Sequence, residues 1–157
     1  MTGLSRRIAV LTLVLGASLG VAGAPAAADS TPGKMIAPQQ AQQAALGLMS
    51  AEKELGLMCG LSKTADRLRA RTVPLAVAAR TAQVALKAAK AKRGCSAAVQ
   101  LGAAVASILT IAETGNSVYV EMDHSSKRGF PLKKCTETIR VGTSEALSVP
   151  YKVTYSC

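Results

Sequence analysis

The spacing of apolar residues changes once along the chain, and this change divides it into a helical part and a β part. Over residues 39–115 the apolar positions recur at intervals of three and four, which is the period of an amphipathic helix. Over residues 116–157 they alternate with polar positions, as in strands with one buried face. The pattern predicts a single α+β domain over 39–157.

The helical part divides into three predicted segments, of which the second poses a question. The first covers 39–58 and the second 62–93, where a 3.5-residue apolar period runs unbroken past Pro74. Unbroken periodicity favours one kinked helix, whereas a proline in a helix interior costs about 3 kcal/mol and favours two helices. We expect the kinked helix.

The third helical segment, 95–114, carries no charge before Glu113 and is apolar on all sides. Such a helix lies either at the centre of a bundle or in a membrane. It barely reaches the ~20 residues that span a bilayer. Interspersed Ser, Gln and Ala residues favour a buried central helix.

The β part predicts three strands in succession, which form an antiparallel meander with one face on the helices. Val118, Val120 and Met122 begin the first strand. The clearest pattern is the last, in which Val149 and every second residue from there to Cys157 point the same way.

The chain opens with the pattern of an export signal over residues 1–28. Arg6 and Arg7 precede a charge-free apolar run that ends in small residues, with cleavage expected near Ala28. The two arginines also suggest the twin-arginine route, but no aromatic follows them, and we expect general secretion. Residues 29–38 contain two prolines and a glycine, and predict a flexible tail. The mature protein is therefore expected to be secreted or periplasmic.

The four cysteines, Cys59, Cys95, Cys135 and Cys157, all follow this signal and predict two disulfides. Their spacing matches no zinc motif, and no C-x-x-C is present. A hairpin between the last two strands brings Cys135 near Cys157. Cys59 then pairs with Cys95, which a straight helix of ~45 Å between them forbids and a reversal at Pro74 allows. We predict these two pairs, although the second conflicts with a kinked continuous helix.

Positive charge is concentrated between the first two cysteines. Without Arg6 and Arg7, 17 basic and 9 acidic residues remain, and residues 63–93 hold nine of the basic ones against Asp66 alone. One helical stripe is predicted to contain Arg69, Arg80, Lys87 and Lys90. A basic face of this kind binds acidic proteins or polyanions, or is simply a solvated surface.

A second basic cluster consists of Lys127, Arg128, Lys133 and Lys134, and it flanks Phe130, the chain's one phenylalanine. In such loops an aromatic side chain more commonly folds back onto the sheet, but an exposed one can insert into a partner's groove. The chain has three Tyr and no Trp, so it has few side chains that could stack on nucleic-acid bases, and we do not expect nucleic acid as a partner.

His124 is the one histidine. Its neighbours Asp123 and Ser125 point to the opposite strand face and form no triad with it. Acid–base chemistry with Glu121 or Glu137 is the route by which His124 could serve a small nuclease-like hydrolase. An ordinary histidine beside a turn is the commoner case, and we expect no catalytic residues, no metal and no cofactor.

These patterns favour a non-enzymatic, disulfide-braced binding protein of the bacterial envelope or exterior that engages an acidic protein or envelope polyanion. An inhibitor or immunity protein belongs to this class. The alternatives are the hydrolase using His124 and a membrane-active protein that inserts helix 95–114 after binding anionic lipid. The pattern leaves the partner's identity and the oligomeric state open.

Overall fold

The computed structural model describes residues 30–54, 59–70 and 73–157 and confirms the α+β class. The elements in chain order are β1 (Ser30–Ile36), α1 (Pro38–Glu54), α2 (Leu61–Ala70), α3 (Leu75–Lys90), α4 (Ser96–Glu113), β2 (Val118–Lys127), β3 (Lys134–Gly142) and β4 (Val149–Ser156). The expected signal peptide, 1–28, falls outside the described residues, and so do 55–58 at the end of the first predicted helix.

The strands form one antiparallel sheet in the order β1-β2-β3-β4. Met122 lies opposite Ile139, and Ile139 lies opposite Tyr151, so these three side chains share the inner face. Met122 and Ile139 are fully buried beneath the helices. The period-two pattern therefore located β2, β3 and β4 and their buried face.

Within the described part of the chain the sheet has four strands, and the prediction of three was wrong because residues 30–36 form β1. Pro32 and Gly33 suggested a tail, but an edge strand tolerates a proline because one side of its backbone has no strand to bond. Gly33 has a packing role, since a β carbon there would overlap the hydroxyl and ring of Tyr119 on β2. The register between β1 and β2 shifts between Thr31 and Lys34.

Pro74 separates two helices, and the expected kinked helix was wrong. α2 ends at Ala70, and Pro74 is the N-cap of α3 with an extended backbone (φ −56°, ψ 145°). Its carbonyl accepts the first hydrogen bond of α3, from the Ala78 N–H at 3.0 Å. Proline has no N–H and disfavours helical geometry in the residue before it, so the chain reverses here.

The apolar helix α4 lies at the centre, as predicted, between the sheet and the other helices. Its buried residues include Leu101, Val105, Ile108 and Leu109. Gly102 lets α3 approach closely, since a β carbon there would come within 3.2 Å of Leu86 Cδ1. Alanines dominate the helical contacts, and this compensates for the scarcity of large aromatic side chains.

Both predicted disulfides are confirmed. Cys59 and Cys95 join the start of α2 to the start of α4, with Cα atoms 5.9 Å apart, which the reversal at Pro74 makes possible. Cys135 and Cys157 have Cα atoms 5.8 Å apart. Cys135 is directly opposite Tyr155, so the second bridge joins diagonal positions of the β3–β4 pair. Two disulfides are compatible with an oxidising, exported compartment.

Candidate partner-binding surfaces

The β2–β3 connection, residues 127–134, is named here the hairpin tip. Lys127 and Lys134 lie directly opposite each other at its base. Like charges in this position destabilise a strand pair. Neither ammonium lies within ion-pairing distance of any carboxylate among the described residues. Folding therefore gains nothing from this arrangement, which makes the hairpin tip a candidate site for an acidic partner.

Phe130 stands at the end of the hairpin tip with its side chain fully exposed, and Leu132 is 40% exposed. Folding back onto the sheet was the commoner outcome expected from sequence, and the ring of Phe130 does not do so. Four exposed cations flank Phe130 in sequence, namely Lys127, Arg128, Lys133 and Lys134. The hairpin tip thus presents an apolar side chain in a cationic setting.

The base of the hairpin tip is fixed by covalent and hydrogen bonds. Cys135, which follows Lys134 directly, forms a disulfide with Cys157. The Cys157 N–H donates to the Lys133 carbonyl at 2.8 Å, which continues the β3–β4 ladder into the loop. An open depression of about 510 Å³ beside the loop is lined by Lys127 and Lys134 together with Ser125, Ser126, Thr136 and Thr154.

The basic helical stripe predicted from sequence does not form one surface, because Pro74 divides its members between two helices. Arg80, Lys87 and Lys90 are exposed along α3. Arg69 belongs to α2 and lines a small groove against α1, together with Lys53 and Asp66. Counting by threes and fours across residue 74 assumed a continuous helix, and that assumption failed.

His124 and Glu137 are cross-strand partners on the inner face of the sheet, where His124 Nδ1 bonds to Glu137 Oε1. Burial raises the pKa of Glu137 to about 7, although contact with His124 partly opposes this shift. Glu137 in turn helps to raise the pKa of the Tyr155 hydroxyl, for which burial is the larger cause. Glu137 can therefore hold or release a proton near neutral pH.

Of the two carboxylates that sequence offered to His124, the structure selects Glu137. Glu121 points to the other sheet face, where it accepts a hydrogen bond from the Tyr119 hydroxyl at 2.7 Å. This bond is the main cause that raises the pKa of Tyr119 to about 12. Over the described ranges, no group of three or more His, Cys, Asp or Glu residues is arranged to hold a metal.

A cleft that the sequence did not reveal opens between α3, α4 and the β3–β4 hairpin, with a volume of about 490 Å³. Its walls are mainly apolar and include Leu86, Ala103, Ala106, Ile111, Val141 and Val149. The cleft is formed by residues from three elements that are distant in sequence, and the apolar period of each element alone gives no signal of it.

α4 has the length and apolar composition of a membrane-crossing helix, but half of its residues are buried inside the fold. Core helices of soluble proteins share both properties. No family model matches this sequence, and neither curated proteins nor solved structures provide a match.

Proposed function

We propose that this protein is an exported, non-enzymatic binding protein that docks its hairpin tip onto an acidic partner protein. The observation that carries the proposal is the complete exposure of Phe130 in a disulfide-braced, cationic loop. An inhibitor or immunity protein, which covers the site of a hydrolase or toxin, is the form of binding protein that best suits a protruding braced loop.

Phe130 supplies the apolar anchor. Removing a phenylalanine side chain from water is worth about 1.5–3 kcal/mol, and aromatic anchors buried at the centre of an interface carry much of its affinity. In the free protein this side chain contributes nothing to the core. Its exposure is explained if a groove on the partner covers it.

The four cations of the hairpin tip supply attraction and orientation. Lys127 and Lys134 repel each other across the strands in the free protein, and a carboxylate placed between them relieves this repulsion. Hydroxyls of Thr136 and Thr154 border the same depression and can donate to the same carboxylate. An acidic partner surface therefore matches the tip better than a neutral one.

Bracing limits the entropy lost on binding. The Cys135–Cys157 bridge and the Cys157–Lys133 hydrogen bond hold the base of the loop before the partner arrives. Preorganised loops lose less conformational freedom on association, and their affinity is correspondingly higher.

The test is affinity capture of envelope proteins by the immobilised mature chain, with matched variants on two surfaces. Tip variants are Phe130→Ala and the fourfold Lys127→Glu, Arg128→Glu, Lys133→Glu, Lys134→Glu. Controls are Val84→Ala, which removes an apolar side chain 67% exposed on α3, and the fourfold Arg69→Glu, Arg80→Glu, Lys87→Glu, Lys90→Glu.

We expect one protein to be retained by the wild type at low salt and released at high salt. Retention should fall about tenfold or more with Phe130→Ala, a loss of 1.4 kcal/mol or more. The fourfold tip variant should abolish retention, while both controls keep it. Equal loss in the helical fourfold variant would instead move the binding surface to α2 and α3.

A further inference from the structure

We propose that the cleft between α3, α4 and the β3–β4 hairpin binds a single-chain anionic amphiphile, such as a fatty acid. The alkyl chain would occupy the cleft, and the acidic head would pair with Arg80 and Lys87 at its rim. No residue of the hairpin tip lines this cleft. The site is therefore independent of the partner surface proposed above.

The cleft has the size and lining of a small-molecule site. Its volume of about 490 Å³ falls in the range of roughly 300–1,000 Å³ typical of ligand pockets. None of its described lining residues is charged. The hydroxyls of Ser107 and Tyr151 lie 2.5 Å apart and satisfy each other, so neither needs a polar group from the ligand.

Small residues create the depth of the cleft. Ala103 and Ala106 form the floor on α4. Gly142 lets the hairpin fold back tightly, since a β carbon there would come within 2.6 Å of the Leu147 carbonyl oxygen. This fold leaves Leu147 and Val149 at the rim, 70% and 52% exposed. A bound alkyl chain would cover both side chains, which water now contacts.

The charge at the rim selects an acidic head. Gln83 lines the cleft, and Arg80 and Lys87 stand three residues before it and four after it on the same side of α3. Both are exposed, and neither is ion-paired with a carboxylate in the described part of the chain. An acidic head at this rim therefore meets two cations while its alkyl chain stays in the apolar cleft.

The experiment is a titration of the folded mature chain with dodecanoate, followed by methyl NMR, with 1-dodecanol as the uncharged probe of equal chain length. We expect saturable shifts at Leu86, Ala103, Ile111 and Leu147, with tighter binding of dodecanoate than of dodecanol. The absence of saturable shifts at these methyls up to about 1 mM dodecanoate, a free energy of only −4.1 kcal/mol, would overturn the proposal.

Variants locate the two parts of the ligand. Ala103→Leu fills the floor and should weaken dodecanoate about tenfold, whereas Ala88→Leu, on the exposed face of α3, should leave affinity unchanged. Arg80→Glu with Lys87→Glu should weaken dodecanoate at least about fivefold and leave dodecanol unaffected. Leu147→Glu alters an exposed position, so it tests the rim even if Ala103→Leu fails to fold.

Two results would contradict specific parts of the proposal. Equal affinity for dodecanol and dodecanoate, unchanged by the paired charge reversal, would show that the head does not meet Arg80 and Lys87. Methyl shifts at the same residues that depend on protein concentration without any ligand would show that a second copy of the chain, and not an amphiphile, fills the cleft.

Discussion

Glu137 illustrates how a single residue on the inner sheet face can couple the fold to pH. The side chain is 2% exposed, and its Oε1 atom bonds to His124 while Oε2 has no partner among the described residues. Burial of an ionised carboxylate is costly, so the folded chain favours the neutral form up to a pKa of about 7. Asp123, His124 and Tyr155 are the neighbouring groups that modify this value.

The first prediction concerns the pH dependence of unfolding. Glutamate in the unfolded chain ionises near pH 4.5, while folded Glu137 does so near pH 7. Its contribution to stability is therefore fully present below the lower value and is lost as pH rises through the upper one. Glu137→Gln stays uncharged, so the variant should gain in Tm relative to the wild type as pH rises from 4.5 to 7. Thermal unfolding followed by circular dichroism measures this difference.

Glu113→Gln is the matched control, because Glu113 is exposed at the end of α4. Its Tm should follow the wild type at every pH. Parallel Tm profiles for wild type and Glu137→Gln would mean that folding does not raise the pKa of Glu137 above its value in the unfolded chain.

At the scale of elements, the N-terminal strand β1 depends on one glycine. The ring of Tyr119 on β2 lies over Gly33, and its hydroxyl is held by Glu121 at 2.7 Å. The ring therefore cannot swing aside without losing that bond. The pairing of β1 with β2 rests on the absence of a side chain at position 33.

Gly33→Ala should accordingly destabilise the protein by about 1–3 kcal/mol, the usual cost of forcing extra atoms into a packed site. Urea unfolding measures the change. In a Tyr119→Val background the same substitution should cost much less, because the overlapping ring has been removed. An equal cost in both backgrounds would indicate that backbone freedom, and not the ring, requires the glycine.

The apolar period predicted individual helices and strands well. It did not show the boundary between two consecutive helices that pack against the same core. The apolar period ran past Pro74 because α2 and α3 both contact the same core. Continuity of the pattern therefore could not show a reversal, whereas the predicted Cys59–Cys95 pair required one. β1 was missed because proline and glycine are uncommon in strands. Gly33 is required by the ring of Tyr119, which lies on a strand distant in sequence.

The candidate sites were predictable to different degrees. The cations of the hairpin tip and Phe130 followed from composition around a turn, but the exposure of Phe130 depends on the path of the loop. The carboxylate partner of His124 depended on the β2–β3 register. The cleft depended on how α3, α4 and the β3–β4 hairpin pack together, which the residue pattern of each element alone does not specify.

At the scale of the whole molecule, positive charge is in clear excess. The chain beyond the expected signal carries a net charge of +8, and no described lysine or arginine is ion-paired with a described carboxylate. Uncompensated like charge destabilises the compact state through repulsion. Screening by salt weakens this repulsion.

We therefore expect Tm to rise with sodium chloride, because the Debye length falls from about 30 Å at 0.01 M to about 8 Å at 0.15 M. The fourfold tip variant replaces four positive charges with four negative ones and brings the net charge from +8 to zero. Its Tm should show little salt dependence. A salt dependence of the same slope in both proteins would assign the effect to general solvation and not to charge.

The position of β1 in the sheet also has a consequence for how the chain folds. Ser30 pairs with Asp123, so all four helices intervene in sequence between these neighbouring strands. The helical contacts and the β2–β3 and β3–β4 hairpins close much shorter loops and form earlier. During refolding, β2 is therefore expected to present an open edge until its own β1 arrives, and at high concentration the β1 of another molecule can reach that edge first.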